Sequence, residues 1–392
     1  MARRTPTRTR ARTVAEISRA RRSTPKAVAT PADASSLAGT TDPIWLRSRR
    51  WDLTWIIGSC ILILLPISIY GLFPDDRTRV ALNLAVTLFV GGPHMYVTAT
   101  RTAWEPRFRA ARGTLMIAGA IAIPAIVITL SIHSYVLLLT LFFGWAGLHI
   151  LHQAFYLTRC YGERGALAGR TGWRWLDYAL IGSSLYPVAL YKMVNGTFAI
   201  GPTKTIFPEF LRVPAVYIAA FALFAALFVL FTVRVIRDAR AGRANWPKTC
   251  FVYATAIGSF SVSLFDNLDT SFQGFNTWHS LQYLALTWHI HRVRDQRGDL
   301  EGRFVRRLVQ GRSMWPGYAM LVGMTLIAGG LVVLVKAGSG FSIDRSYYAV
   351  VLSFLLIHYF LDHFLFQSDE GALRGPADAF ANRATGMVPR AR

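Results

Sequence analysis

The side chains best equipped for chemistry in this chain are its histidines, and they stand where histidine is least expected. The run "LIHYFLDHFLFQ" over 356–367 places His358, Asp362 and His363 among aliphatic and aromatic residues. "GGPHMYVTATR" holds His94, "GWAGLHILHQAFYLTR" holds His149 and His152, and "NTWHSLQYLALTWHIHR" holds His279, His289 and His291; of the nine histidines only His133 stands apart. Neutral imidazole is the commonest transition-metal ligand. Imidazoles suit iron, copper, zinc and nickel, and a mixed histidine–carboxylate set with an open position suits non-haem iron. Ionisable groups in a lipid-spanning segment are costly, so they face a protein interior and point by default to a functional site.

Helical phase brings subsets together. His149 and His152 are three residues apart and share a face, which Gln153 and Tyr156 extend. His358 and Asp362 are four apart and share another, whereas His363 falls about 140° from His358. His279, Gln282, Leu286 and His289 form a stripe, with His279 about 15 Å deeper than His289. Thr87, Gly91, His94, Thr98 and Arg101 form a fourth stripe, and Pro93 is placed to kink it. The expected ligands are His94, His149, His152, His289, His358 and Asp362, with His363 and His279 as outlying members, around one or two ions of iron or another transition metal. Asp362, Gln153 and Tyr156 are the expected catalytic or orienting groups, and Gln282 and Thr98 are expected to hydrogen-bond the ligands. His133 and His291 read as packing or interfacial residues. Asp266 and Asp269 read as a loop mouth, Asp177 as a helix N-terminal charge, and Glu105 and Arg107 as surface.

The elements that must position these groups follow from hydropathy. The chain has 392 residues, of which 53% are hydrophobic and 16% charged. Roughly 20 apolar residues cross a bilayer as a helix. Ten such spans are expected at 53–73, 79–101, 114–133, 135–158, 173–193, 212–236, 247–266, 271–293, 316–337 and 345–367. The net charge of +22 is not a nucleic-acid footprint, because 36 of the 43 Lys and Arg fall in alternate connections and both tails, and 7 in the others. The positive-inside rule then puts both termini in the cytoplasm. The expected fold is all-α, a polytopic membrane helix bundle of about ten spans in the inner membrane of a bacterium. Residues 1–50 read as a basic disordered tail with no apolar signal region, 51–367 as the helical domain and 368–392 as a second tail. Three scattered cysteines form no disulfide framework.

The histidines of the second, fourth, eighth and tenth spans sit late in each, with His94 and His152 each seven residues before an arginine and His289 three before one. They are therefore expected in one layer near the cytoplasmic face. This pattern resembles the integral-membrane histidine-rich oxygenases, namely the fatty-acid hydroxylase and desaturase class and the bacterial membrane carotene dioxygenases. "GGPHMY" and "WHSLQY" carry the likeness to the latter, with Tyr283 standing where their second histidine would fall. The resemblance implies iron held by histidines of several helices, O2 as co-substrate, a lipid-soluble acyl or isoprenoid substrate and an electron-donor protein. The residues alone leave two other readings open: a haem-binding electron-transfer bundle with axial imidazoles, and a transporter in which His and Asp relay protons.

Overall fold

Hydrocarbon offers no hydrogen-bond partner to backbone N–H and C=O groups, so a chain this apolar must satisfy them within each segment. The computed structural model, which describes residues 44–367 except 171, 201–202, 266–267 and 312, does so with helices throughout. Both expected tails, apart from residues 44–50, and Asp266 lie outside the described residues. In chain order the elements are α1 Arg49–Leu72, α2 Asp76–Arg101, α3 Pro106–His133 and α4 Tyr135–Leu167. There follow α5 Arg174–Ser184, α6 Tyr186–Val194, a two-rung hairpin of β1 Ala199–Ile200 and β2 Thr203–Lys204, and α7 Pro214–Arg240. The chain continues with α8 Trp246–Val262, α9 Leu268–Arg297, α10 Arg303–Gln310, α11 Trp315–Ser339 and α12 Ile343–Gln367.

A helix stands at each of the ten expected places. Seven of them (α1–α4, α7, α11 and α12) are long and apolar enough to cross a membrane, as suits a membrane protein. The other three fall short for identifiable reasons. The fifth is divided into α5 and α6 just before Pro187, whose ring removes a backbone donor. The seventh, α8, has 17 residues, and the eighth, α9, is 30 residues long but polar along much of its length. The amphipathic α10, which seats Val305 and Val309 beside Leu300 with Trp104 and Trp288 around them, was not apparent from hydropathy.

Burial divides the helices into lining and centre. Only 6% of the apolar window of α7 is buried, against 56% for α12. Central α12 packs on α2, α3, α4 and α11, while α9 packs on α1, α2 and α8. Close approach is arranged by small residues and by changes of winding. A Cβ on Gly274 of α9 would overlap the Ile63 carbonyl, and one on Gly92 of α2 would overlap Thr325 of α11. Helix α1 widens into π turns over Asp52–Ile57 and tightens into 3-10 turns over Gly58–Ile63. This change leaves the Ile56 carbonyl open to donors from α9, Gln282 Nε2 at 2.6 Å and Trp278 Nε1 at 3.2 Å. Helix α2 likewise makes a π turn over Thr87–Gly91, immediately before Pro93. The expected kink takes this form, a device common at functional sites.

Several charges expected at the surface are instead buried and paired. Asp177 is fully buried and accepts from Arg234 at 3.0 Å and Lys248 at 2.8 Å, tying α5 to α7 and α8. Glu105 is buried against Arg294 at 3.4 Å, and Asp269 is paired with Arg79 at 3.2 Å. Buried charges persist only when compensated in this way. Arg107, pairing with Glu301, is exposed as expected. Asp52, unremarked in the sequence, is fully buried and accepts from the backbone of Leu46 and Arg47 and from the Tyr161 hydroxyl. Removing one partner of a buried pair costs about 3–5 kcal/mol. Asp177→Ala, which leaves the buried Lys248 without its carboxylate and Arg234 with only that of Asp238, is therefore expected to lower the thermal unfolding temperature of the detergent-solubilised protein markedly. Arg107→Ala, at an exposed pair, should leave it within about 1 kcal/mol of the parent.

Candidate metal centre

Four helices of the centre each contribute one imidazole to a common point. His94 comes from the turn of α2 that follows its π turn, His149 from the middle of α4, His279 from α9 and His358 from α12. All four side chains are at most 4% exposed. Their ring centroids lie 4.4 Å (His94–His358), 4.8 Å (His94–His279), 4.9 Å (His149–His358), 5.0 Å (His149–His279) and 6.2 Å (His94–His149) apart. Four imidazoles bound tetrahedrally with metal–nitrogen distances near 2.0–2.1 Å would have centroids about 5 Å apart. The observed spacings bracket that value.

Hydrogen-bond accounting indicates what the rings lack. His94 Nδ1, His149 Nε2, His279 Nε2, His358 Nε2 and Asp362 Oδ2 are buried without a hydrogen-bond partner among the described residues. The donor atoms available from His94, His149 and His279 lie within 4.8 Å of one another, as do those from His149, His358 and Asp362. Native structures leave few such atoms unmet, and each calls for an explanation. Two overlapping sets of converging donor atoms that share His149 are what a cation would satisfy, so the residues present fit a transition-metal ion.

The groups behind the cluster fix its tautomers. Thr98 Oγ1 lies 2.7 Å from His358 Nδ1 and donates to Asp362 Oδ1 at 2.9 Å. Its proton being committed to the carboxylate, it receives one from Nδ1, which leaves His358 Nε2 bare toward the centre. A hydrogen bond to the second nitrogen is the usual way a ligating imidazole is oriented. Tyr283 donates to the same Asp362 Oδ1 at 2.6 Å, and its ring stands edge-on to His94 at 4.8 Å. Tyr359 stacks on His149 at 4.1 Å, closing that side. Gln153 Nε2 donates to the His279 carbonyl and to Gln282 Oε1, both at 3.1 Å. Gln153 and Gln282 therefore brace α9 against α4 and α1.

The structure brings together His94, His149, His279, His358 and Asp362, and places the other expected members elsewhere. His289 lies beside Trp51, with centroids 5.2 Å apart, and the central place expected for His289 is taken by His279, expected only as an outlying member. His152 and His363 face each other at 5.3 Å on the rim, where His363 is exposed and meets Gln367. Tyr156 packs on Phe366 rather than entering the cluster. His291, expected at the lipid–water border, is buried with Nε2 2.7 Å from Thr100 Oγ1. The misplaced depth has a physical cause. Distance to the nearest arginine was the ruler, and it assumes that helices are aligned with one another at the water boundary. On α9 that arginine, Arg292, is exposed, yet packing sets His279, thirteen residues before it, level with His94, so the ruler fails there. Tyr283 was passed over as a departure from a motif, although its four-residue step from His279 sets it on the same face.

No protein-family model, curated protein or solved structure matches the chain. The assignment of the centre therefore rests on its geometry. Substitution separates the two groups of histidines. His149→Ala and His279→Ala are each expected to abolish stoichiometric metal retention measured by elemental analysis of the purified protein. His152→Ala, His289→Ala and His363→Ala should retain it. Retention by His279→Ala together with loss in His289→Ala would reverse the assignment.

Proposed function

We propose that this protein is a membrane-embedded metal-dependent oxidoreductase acting on a lipid-soluble substrate, an acyl lipid or an isoprenoid. The observation that carries this reading is the gathering of four buried imidazoles and one carboxylate, each with an atom that lacks a hydrogen-bond partner, in the interior of the bundle. Iron is the ion proposed, because a histidine–carboxylate set that leaves coordination positions open suits iron that works with O2. Bound there, iron would supply O2 activation for hydroxylation, desaturation or oxidative cleavage, with electrons from a donor protein.

What the chain itself contributes follows from the site. His94, His149, His279 and His358 would hold the ion, with Asp362 able to join through Oδ2. Thr98 and Tyr283 fix the carboxylate through Oδ1 and keep its second oxygen directed inward. Tyr359, Phe366 and the aliphatic packing around them exclude water, which guards an oxidising site against side reactions. A groove of about 350 Å³ opens where α1 changes its winding, lined by residues that include Leu53, Trp55, Gly58, Leu62 and Leu281. Its mostly apolar lining suits an apolar chain arriving from lipid.

The edge-to-face contact of the four rings leaves no slot for a porphyrin between any two, which favours a bare ion over haem. The proposed topology keeps all ten helices as crossings, with the termini and the arginine-rich connections in the cytoplasm of a bacterium. Its support is the 36-to-7 division of basic residues.

Two measurements test the reading. Protein reconstituted in nanodiscs with ferrous iron and a chemical reductant is expected to consume O2 when offered acyl lipid or isoprenoid, and His149→Ala to consume none. An iron-loaded protein that oxidises no member of either class would overturn the substrate assignment. For topology, in a background without native cysteines, Ser339→Cys should react with an impermeant maleimide added outside intact cells and Gln310→Cys should not. The opposite pattern would invert the bundle.

A further inference from the structure

Below the cluster, α2 and α9 face each other with polar stripes. From His94 the chain of α2 and its following turn carries Thr98, Arg101, Thr102 and Glu105. From His279, α9 carries Tyr283, Thr287, His291 and Arg294. On α9 the steps are three or four residues, so that set lies on one helical face; α2 ends at Arg101, and Thr102 and Glu105 lie in the turn after it. All these side chains are buried. Rungs join the stripes at Thr98–Tyr283, 2.9 Å, at Thr100–His291, 2.7 Å, and at Glu105–Arg294, 3.4 Å. The far end reaches the surface through Asp299, whose carbonyl accepts from Arg294 at 3.0 Å and whose side chain is 39% exposed. On α9 the fifteen residues from His279 to Arg294 correspond to about 22 Å of helix.

A ladder of this kind could simply hold two helices together, but it would then be closed. Here it carries loose ends at every level. Asp362 Oδ2, Thr287 Oγ1, His291 Nδ1 and both oxygens of Glu105 have no hydrogen-bond partner among the described residues. Thr287, fully buried, does not return its hydroxyl to the carbonyl four residues back as Thr255 and Thr325 do, a state it shares with Thr158 of α4. His291 is set for relay by its neighbours. Thr100 gives its proton to the Val97 carbonyl at 2.6 Å. It therefore accepts from His291 Nε2–H, which leaves Nδ1 as a bare acceptor. Unmet buried polar atoms strung between a site and the surface are ordinarily bridged by water.

We infer that the facing stripes of α2 and α9 form a proton-conducting file linking the buried histidine cluster to the end of the bundle that carries Glu105 and Asp299. One proton enters from solvent past the exposed Asp299 to the buried Glu105 carboxylate and adds to His291 Nδ1, forming an imidazolium. It is handed on through bridging water to the Thr287 and Tyr283 hydroxyls, each giving up a proton as it gains one, and the proton that Tyr283 gives up returns along the same water to solvent. Hydrogen is exchanged, no net charge accumulates and no electrons are transferred. Arg101 and Arg294 remain charged and balance the carboxylates, with Arg294 flanked by Glu105 and Asp299. The inference rests on the proposed function only for the use made of the proton. The file itself is a property of the metal-free chain.

The test follows the Tyr283 phenol. Full-length, metal-free protein in nanodiscs is mixed with D2O, and O–H to O–D exchange of Tyr283 is read by infrared spectroscopy, the band being assigned with Tyr283→Phe. Glu105→Gln, Thr287→Val and His291→Leu are each expected to slow exchange about tenfold or more, a change in barrier of one decade in rate. Ser346→Ala, at the opposite end of the bundle, should leave it unchanged. Thr287→Val replaces a hydroxyl by a methyl of similar size, so it decides the matter should the other variants fail to fold. Wild-type exchange in folded Thr287→Val, or equal slowing by Ser346→Ala, would overturn the file. Metal titration of the same variants separates the two readings. Unaltered metal binding with slowed exchange supports both, whereas a parent that binds no metal sinks the metal centre and leaves the exchange result standing.

Discussion

A buried hydrogen-bonding atom left without a partner costs about 1–3 kcal/mol, and this bundle gathers five of them in one cluster. No local feature of α2, α4, α9 or α12 requires that expense, since each helix would be more stable with leucine in place of its histidine. The arrangement is sustained by everything around it. Glycines at 92 and 274 let helices approach where a Cβ would overlap a neighbour. The π turn before Pro93 re-aims the part of α2 that carries His94, and Thr98 and Tyr283 fix the carboxylate behind His358. Take away the demand of the converging lone pairs, and these departures from regular helix packing have no common explanation.

The change of winding in α1 belongs to the same constraint. A regular helix would have kept the Ile56 carbonyl for its own ladder. Freed by the π turns, it holds Gln282 and Trp278 of α9 on either side of the turn that presents His279. Gln153 reaches the His279 carbonyl from α4 and also binds Gln282. Amide side chains thus form a brace across three helices beside the cluster, fixing the axial position of α9 against α1 and α4. In a membrane, where lipid tails are as apolar as leucine, such interhelical hydrogen bonds and close contacts between small residues provide much of the specificity of packing.

Much of this was legible in the sequence, and the parts that were not share a cause. Helical period and hydropathy located ten helices, and the three-residue and four-residue spacings singled out His94, His149, His358 and Asp362. Depth was the weak coordinate. A histidine's position along its own helix is fixed by sequence, but the position of that helix against its neighbours is fixed by packing. On α9 the packing places His279 level with His94 although thirteen residues separate it from Arg292. Buried charge was equally hidden. Asp177, Glu105 and Asp52 lie in sequence where a helix enters or a loop begins, and only tertiary contact reveals the partners that permit their burial. Hydropathy penalises α9 for the same polar stripe that makes it central.

Polar and apolar surfaces are unevenly distributed around the cluster, and that bears on the choice between chemistry and transport. On the side toward Glu105, the facing surfaces of α2 and α9 are polar. On the other side, α4 presents Leu138, Leu139, Phe142 and Ala146, and α12 presents Leu352 and Leu356, which close with Val127 into a separate apolar layer. The start of α9 on that side is polar as well, with Asp269, Thr270 and Ser271 buried and Asp269 paired with Arg79. A permeating ion would need polar ligands across the whole thickness, since each uncompensated step in hydrocarbon is costly, and the layer of α4 and α12 supplies none. The proposed reaction on a lipid-soluble substrate has a different requirement: an apolar approach for the substrate and a narrow polar contact with water for protons. The apolar layer and the polar faces of α2 and α9 are the two surfaces that proposal would draw on.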